Sequence, residues 1–87
     1  MIPSKGKVLV DFYAEWCRPC KAMKPTLEKF EESSDIPLVK VNVDEEPSIA
    51  QEYGIRSIPC LVCVDDGNEV KRKIGMVGLD QLLELVK

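Results

Sequence analysis

The sequence predicts an α/β domain: a four-stranded mixed sheet with helices on both faces, in the order β-α-β-α-β-β-α. Three observations predict it. Short apolar, β-branched runs alternate with stretches of helical periodicity. The opening strand–helix–strand order implies a parallel, right-handed crossover. An Asp-Gly turn between the last two strands supplies an antiparallel pair.

The first strand is expected over residues 7–13, where apolar, β-branched and aromatic side chains surround a single acid, Asp11. The first helix follows. Cys20, Met23, Leu27 and Phe30 fall at helical spacing, with charged residues on the other faces. Pro25 lies inside this pattern and is expected to kink it. The second strand spans residues 36–43, with Pro37 near its start, a position suited to a sheet edge. Asp44, Glu45, Glu46 and Pro47 open a short helix that Gly54 closes. Residues 58–64 form the third strand, Asp65-Asp66-Gly67-Asn68 the hairpin turn, and residues 69–74 the fourth strand. Leu79, Leu82, Leu83 and Val86 mark a closing helix, with Asp80 early and Lys87 late, as the helix dipole favours. All 87 residues are expected to form one domain, without repeats or linkers.

Composition narrows the chemistry. The net charge of −3 argues against a nucleic-acid or anionic-membrane binder, which needs a basic excess. The chain contains no histidine, which excludes His-ligated zinc, a Cys–His nucleophile pair and a Ser-His-Asp triad. It contains four cysteines, a high share for 87 residues. The N-terminal segment lacks both the run of about 7–15 apolar residues of a signal peptide and the roughly 20 of a membrane span. A cytoplasmic protein is therefore expected, where cysteines act in redox or metal chemistry before they act as structural staples.

Cys17 and Cys20 sit between the first strand and the first helix. Residues three apart at a helix start have Cβ atoms about 5–6 Å apart, near disulfide range. Cys17 would lie at the helix N-terminus, where free N–H groups and the dipole stabilise a thiolate, with Arg18 and Lys21 adding positive charge. Cys20 would lie one turn deeper and be less exposed. On this geometry Cys17 is the nucleophile and Cys20 the resolving thiol.

The segment Val10-Asp11-Phe12-Tyr13-Ala14-Glu15-Trp16-Cys17-Arg18-Pro19-Cys20-Lys21 resembles the active-site segment of the thioredoxin family. So do Pro25, Lys40-Val41-Asn42-Val43-Asp44, Tyr53-Gly54-Ile55-Arg56-Ser57-Ile58-Pro59, Gly67 and Gly75. The similarity runs from about Val8 to the end of the chain. It implies a thiol–disulfide oxidoreductase that reduces protein disulfides through a mixed disulfide, without a bound cofactor, and is reset by a thioredoxin-reductase-type donor. Asp11 would then be the buried carboxylate that exchanges a proton with Cys20, and Lys40 the lysine paired with it. Pro59 would be the cis-proline facing the disulfide. Trp16, Arg18, Pro19, Ile58, Pro59, Gly75 and Met76 would form the substrate-binding surface of a monomer that binds neither nucleic acid nor membrane.

The chain departs from the family at several points. Arg18 replaces the usual Gly, which should stabilise the Cys17 thiolate and weaken the protein as a reductant. Only seven residues precede Val8, where family members carry an extra strand and helix, so the strand at 36–43 is expected at a sheet edge, blunted by Pro37 and Lys40. Cys60 stands where the family commonly has Thr, directly after Pro59 and therefore near the Cys17 sulfur. It is either a filler of Thr size or an accessory redox thiol. Cys60 and Cys63 repeat the Cys-x-x-Cys spacing and raise a four-Cys metal site as a rival. On a strand, however, positions three apart face opposite sides and lie about 10 Å from one another. Cys63 then reads as a small core residue. Glutaredoxin-like and disulfide-isomerase-like redox proteins, and a non-catalytic binding module on the same scaffold, remain as further alternatives.

Overall fold

The computed structural model describes residues 2–87. Its elements are β1 (Lys7–Tyr13), α1 (Arg18–Ala22), α2 (Lys24–Ser33), β2 (Leu38–Asn42), α3 (Pro47–Glu52), β3 (Cys60–Asp65), β4 (Asn68–Ile74) and α4 (Leu79–Leu85). The sheet order is β2-β1-β3-β4. β1 runs parallel to β2 and antiparallel to β3, and β3 pairs antiparallel with β4. The mixed sheet follows from the connections: a helical crossover returns β2 parallel to β1, and a tight turn returns β4 antiparallel to β3.

Strand β1 is central, and both of its faces are covered. That is why it reads as an almost continuous apolar run rather than an alternation. Leu9 faces one layer, with Leu61 and Cys63 of β3, Leu27 and Phe30 of α2, and Leu82 and Leu85 of α4. Val8, Val10 and Phe12 face the other, with Val41, Cys60, Val62 and Val64, closed over by Ile49 and Tyr53. The Phe12 and Tyr53 ring centroids lie 5.5 Å apart. Each fully buried Leu or Phe contributes about 1.5–3 kcal/mol, so these two layers carry most of the fold's stability. Arg72 ties α3 to β4: its guanidinium donates to the Tyr53 carbonyl at 2.6 Å while pairing with the Glu69 carboxylate.

The expected helices on both faces are present, with corrections at their ends. The single kinked helix is two helices that meet at Met23. Pro25 has no N–H to give to the carbonyl one turn back, and it fits within the first turn of a new helix, where that donor is not needed. β2 begins at Leu38 rather than at 36, because Pro37 cannot donate to the ladder; its carbonyl still accepts from the Leu9 N–H at 2.9 Å. β3 begins at Cys60 rather than at 58 for the same reason, Pro59 having no N–H. Lys87 lies beyond α4 rather than in its last turn. In the hairpin, Asp66 (φ 51°) and Gly67 (φ 85°) both take the left-handed conformation that a two-residue turn of this hand requires. β2 is an edge strand as expected, with Lys40 exposed on it.

Candidate active site

The chemistry-bearing residues gather where β1 ends. Cys17 caps α1 in an extended conformation, and its Sγ accepts from the Cys20 N–H at 3.2 Å. Its own carbonyl accepts from the Lys21 N–H at 3.2 Å, the next turn of the helix. This geometry brings the Cα atoms of Cys17 and Cys20 to 5.3 Å, and the two side chains are joined as a disulfide. Arg18 and Pro19 fill the first turn and point outward, both exposed. Cys20 is not the less exposed of the pair: Cys17 is 4% exposed and Cys20 8%. Tyr13, Val43 and Ile58 pack against the cluster these cysteines form with Ala14, so the helix start is covered from the side instead of standing free.

Asp11 lies on the same strand, buried at 5% exposure. Burial pushes its carboxyl up to about 6 from an ordinary 3.8, and the positive charge of Lys40 pulls against that rise. Lys40 is its register partner across the parallel β1–β2 pair. The two act through space: among the described residues the direct salt bridges are Arg72–Glu69 and Lys87–Glu84. Asp11, Cys20 and Lys40 together line a cleft of about 440 Å³. The carboxyl therefore shares one solvent-open space with the second cysteine, and its proton affinity lies close to neutral pH.

The rim is apolar. Trp16 is 68% exposed, and its indole N–H donates to the Asp44 carboxylate at 2.8 Å. Asp44 is held in turn by the buried Asn42, whose side-chain oxygen accepts from the Asp44 and Glu45 backbone N–H groups. On the other side, Ile58 and Pro59 are joined by a cis peptide bond, and the Pro59 carbonyl accepts from the Gly75 N–H at 2.8 Å. Gly75 has φ +95°, a conformation that side chains rarely adopt. Met76 follows, 57% exposed, beside Ile74 at 61%. Sequence reasoning gave Asn42, Asp44 and Ile74 no role at the site; it put Asp44 at the opening of a helix that begins only at Pro47. For the first two, the signal was an Asn two residues ahead of an Asp just past a strand, a pattern that closes local turns.

The second sulfur pair is arranged differently. Cys60 and Cys63 are both buried and unbridged, and they belong to opposite layers of the core. They cannot bridge each other or share a metal ion from that arrangement. Burial pushes both thiols above the ordinary range, against the opposing charge of Arg72 for Cys60 and of Lys7 for Cys63. Cys60 packs among Val10, Phe12 and Val62, apart from the cluster around the disulfide.

A helix-start disulfide, a buried carboxyl sharing a cleft with it, and a cis peptide bond to Pro59 from Ile58, which packs against the cysteine cluster, fit the thioredoxin pattern, and the thioredoxin family model matches residues 1–87. The chain belongs to the thioredoxin family. It is 48% identical to a thioredoxin of Chlamydia caviae, over 93% of this chain and 80% of that one. With a thioredoxin of Mycoplasmoides gallisepticum it shares 41% identity over 100% of this chain and 88% of the other. Among solved structures, a point-mutant thioredoxin from Halobacterium salinarum superimposes with a TM-score of 0.88 at 39% identity, covering 94% of this chain and 73% of that one. The oxidized form of a mitochondrial thioredoxin from Saccharomyces cerevisiae gives 0.85 at 35% identity, covering 93% and 77%. Like the thioredoxins it is similar to, the chain is a thiol–disulfide oxidoreductase of the protein disulfide reductase type, with Cys17 and Cys20 as its redox pair. Membership implies disulfide-bearing substrates and a reductase as electron donor. Among the described residues, no helix is long and apolar enough to cross a membrane.

Proposed function

We propose a division of labour within this site. Cys17, as thiolate, attacks a substrate disulfide, forms a mixed disulfide with one substrate sulfur and releases the other as a thiolate that takes a proton. Cys20 loses its proton to Asp11 and attacks the Cys17 sulfur. The new Cys17–Cys20 bond forms as the substrate–Cys17 bond breaks, and the second substrate thiol leaves. A reductase of the thioredoxin-reductase type then returns two electrons to the pair. Arg18 and Lys21 stabilise the Cys17 thiolate, and Lys40 keeps the Asp11 carboxyl from being held protonated too firmly.

The observation that carries this reading is that Asp11 and Cys20 line one cleft, with the Asp11 carboxyl at about 6. A general base works best when its proton affinity lies near the operating pH. Trp16, Ile58, Pro59, Gly75 and Met76 form the face on which an extended, apolar substrate segment docks. The chain acts as one domain and as a cytoplasmic monomer. Insulin reduction with dithiothreitol as electron source tests the scheme. Wild type accelerates precipitation of the insulin B chain; Cys17→Ser does not. Cys20→Ser accumulates a mixed disulfide that mass spectrometry detects. Activity that survives in Cys17→Ser refutes the assignment.

A further inference from the structure

Sulfur is distributed unevenly over the molecule. With the disulfide formed, Met23, Cys60 and Cys63 are each 1% exposed, and Cys17 and Cys20 stay below one-tenth. Met76 is 57% exposed. Among the described residues it carries the one sulfur that solvent reaches freely.

Its position gives that exposure a consequence. Gly75 is anchored to the Pro59 carbonyl at 2.8 Å, so Met76 projects next to the cis-proline loop. Trp16, Ile74 and Met76 are three of the exposed large apolar side chains, and the fourth, Val70, stands further back on β4. An exposed apolar patch of this kind marks a docking surface, and a flexible thioether suits one that accepts varied partners.

We propose that Met76 is an oxidation site whose conversion to the sulfoxide weakens docking of protein substrates. This rests on the reading that the rim around Cys17 receives them. The step needs a peroxide. A lone pair on Sδ attacks one peroxide oxygen, the S–O bond forms and the O–O bond breaks. The departing hydroxide takes a proton and leaves as water; the sulfur is oxidised by two electrons and the peroxide reduced by two. The product places a strong S–O dipole on a surface that must be stripped of water when an apolar segment docks. Peroxide would thereby lower the flow of electrons to protein disulfides without touching the Cys17–Cys20 pair, which the disulfide form keeps covered.

Hydrogen peroxide added to the oxidised protein, then removed with catalase, tests this. Peptide mapping is expected to find one added oxygen on Met76 before any on Met23. The KM for insulin is expected to rise about tenfold, with turnover of a small disulfide, bis(2-hydroxyethyl) disulfide, changed by less than about twofold. Met76→Leu, compared with its own untreated baseline, is expected to show no rise in insulin KM after the same treatment. The proposal is overturned by oxygen appearing first on Met23 or Trp16, by full conversion of Met76 with an unchanged KM, or by an equal loss in Met76→Leu. If untreated protein fails to reduce insulin, the reductase reading falls and the docking consequence falls with it; the order of oxidation still decides the modification site.

Discussion

Two Cys-x-x-Cys pairs with identical spacing meet opposite fates in this molecule. Cys17 and Cys20 start a helix, where three residues bring the Cα atoms to 5.3 Å and allow a disulfide. Cys60 and Cys63 lie in a strand, where the same spacing sends them to opposite layers of the core. The surroundings diverge as well. A cleft with a carboxyl at about 6 serves the first pair; apolar walls push the second pair's thiols away from ionisation. Spacing alone therefore says little about chemistry until the backbone that carries it is known.

The largest expected contrast is in turnover. Cys17→Ser should fall to background in insulin reduction, while Cys63→Ala should stay near wild type. Strong loss in Cys63→Ala would break the comparison.

Asp11→Asn should give the next largest effect, and it acts twice. Reduction at neutral pH should slow about a hundredfold, the lower range for losing a positioned proton acceptor. Stability should move the other way. The folded carboxyl titrates at about 6 against 3.8 when free, so the fold binds its proton more tightly than the unfolded chain does. That favourable contribution is complete below about pH 4 and is lost as pH rises through about 6. Ionised Asp11 then costs roughly 3 kcal/mol, and Asp11→Asn should be more stable than wild type by about that much near pH 8, with little difference near pH 4. Urea denaturation of the oxidised proteins at the two pH values checks the sign.

Cys60→Ala and Cys63→Ala should each cost about 1–2 kcal/mol in the same denaturation assay, as loss of packed volume without loss of a reactive group. Arg18→Gly should give the smallest effect. Arg18 is exposed, so solvent screens its charge. Removing it should shift the thiol–disulfide equilibrium with glutathione a few-fold at most toward the disulfide, making the protein a slightly stronger reductant. An unchanged equilibrium would remove Arg18 from the site's electrostatics.

Much of this was legible in the chain. β1 announces itself because a strand covered on both faces has to be apolar throughout, and the one acid in it is conspicuous for the same reason. Asp66-Gly67 announces the hairpin because few residues accept positive φ twice in succession. Cys17 and Cys20 were legible because their spacing was read on the helix that their neighbours predict. What escaped depends on contacts between distant parts of the chain. Trp16 meets Asp44 across 28 residues, and Ile74 joins the rim only because β4 pairs with β3 beside Pro59. The burial of Cys17 comes from Tyr13, Val43 and Ile58 closing in from three different segments, which local helix geometry does not foresee. The helix break at Met23 instead of at Pro25 is a matter of which carbonyl loses its donor.

The unequal chemistry of the two pairs is tested most directly by alkylation of the fully reduced protein with iodoacetamide over a range of pH, with each cysteine followed by peptide mapping. Cys17, at the helix start, should react first, and Cys60 and Cys63, buried in the core with their thiols pushed up by burial, should stay unmodified until the protein is unfolded. Modification of Cys60 or Cys63 in the folded protein at a rate like that of Cys17 would contradict the account.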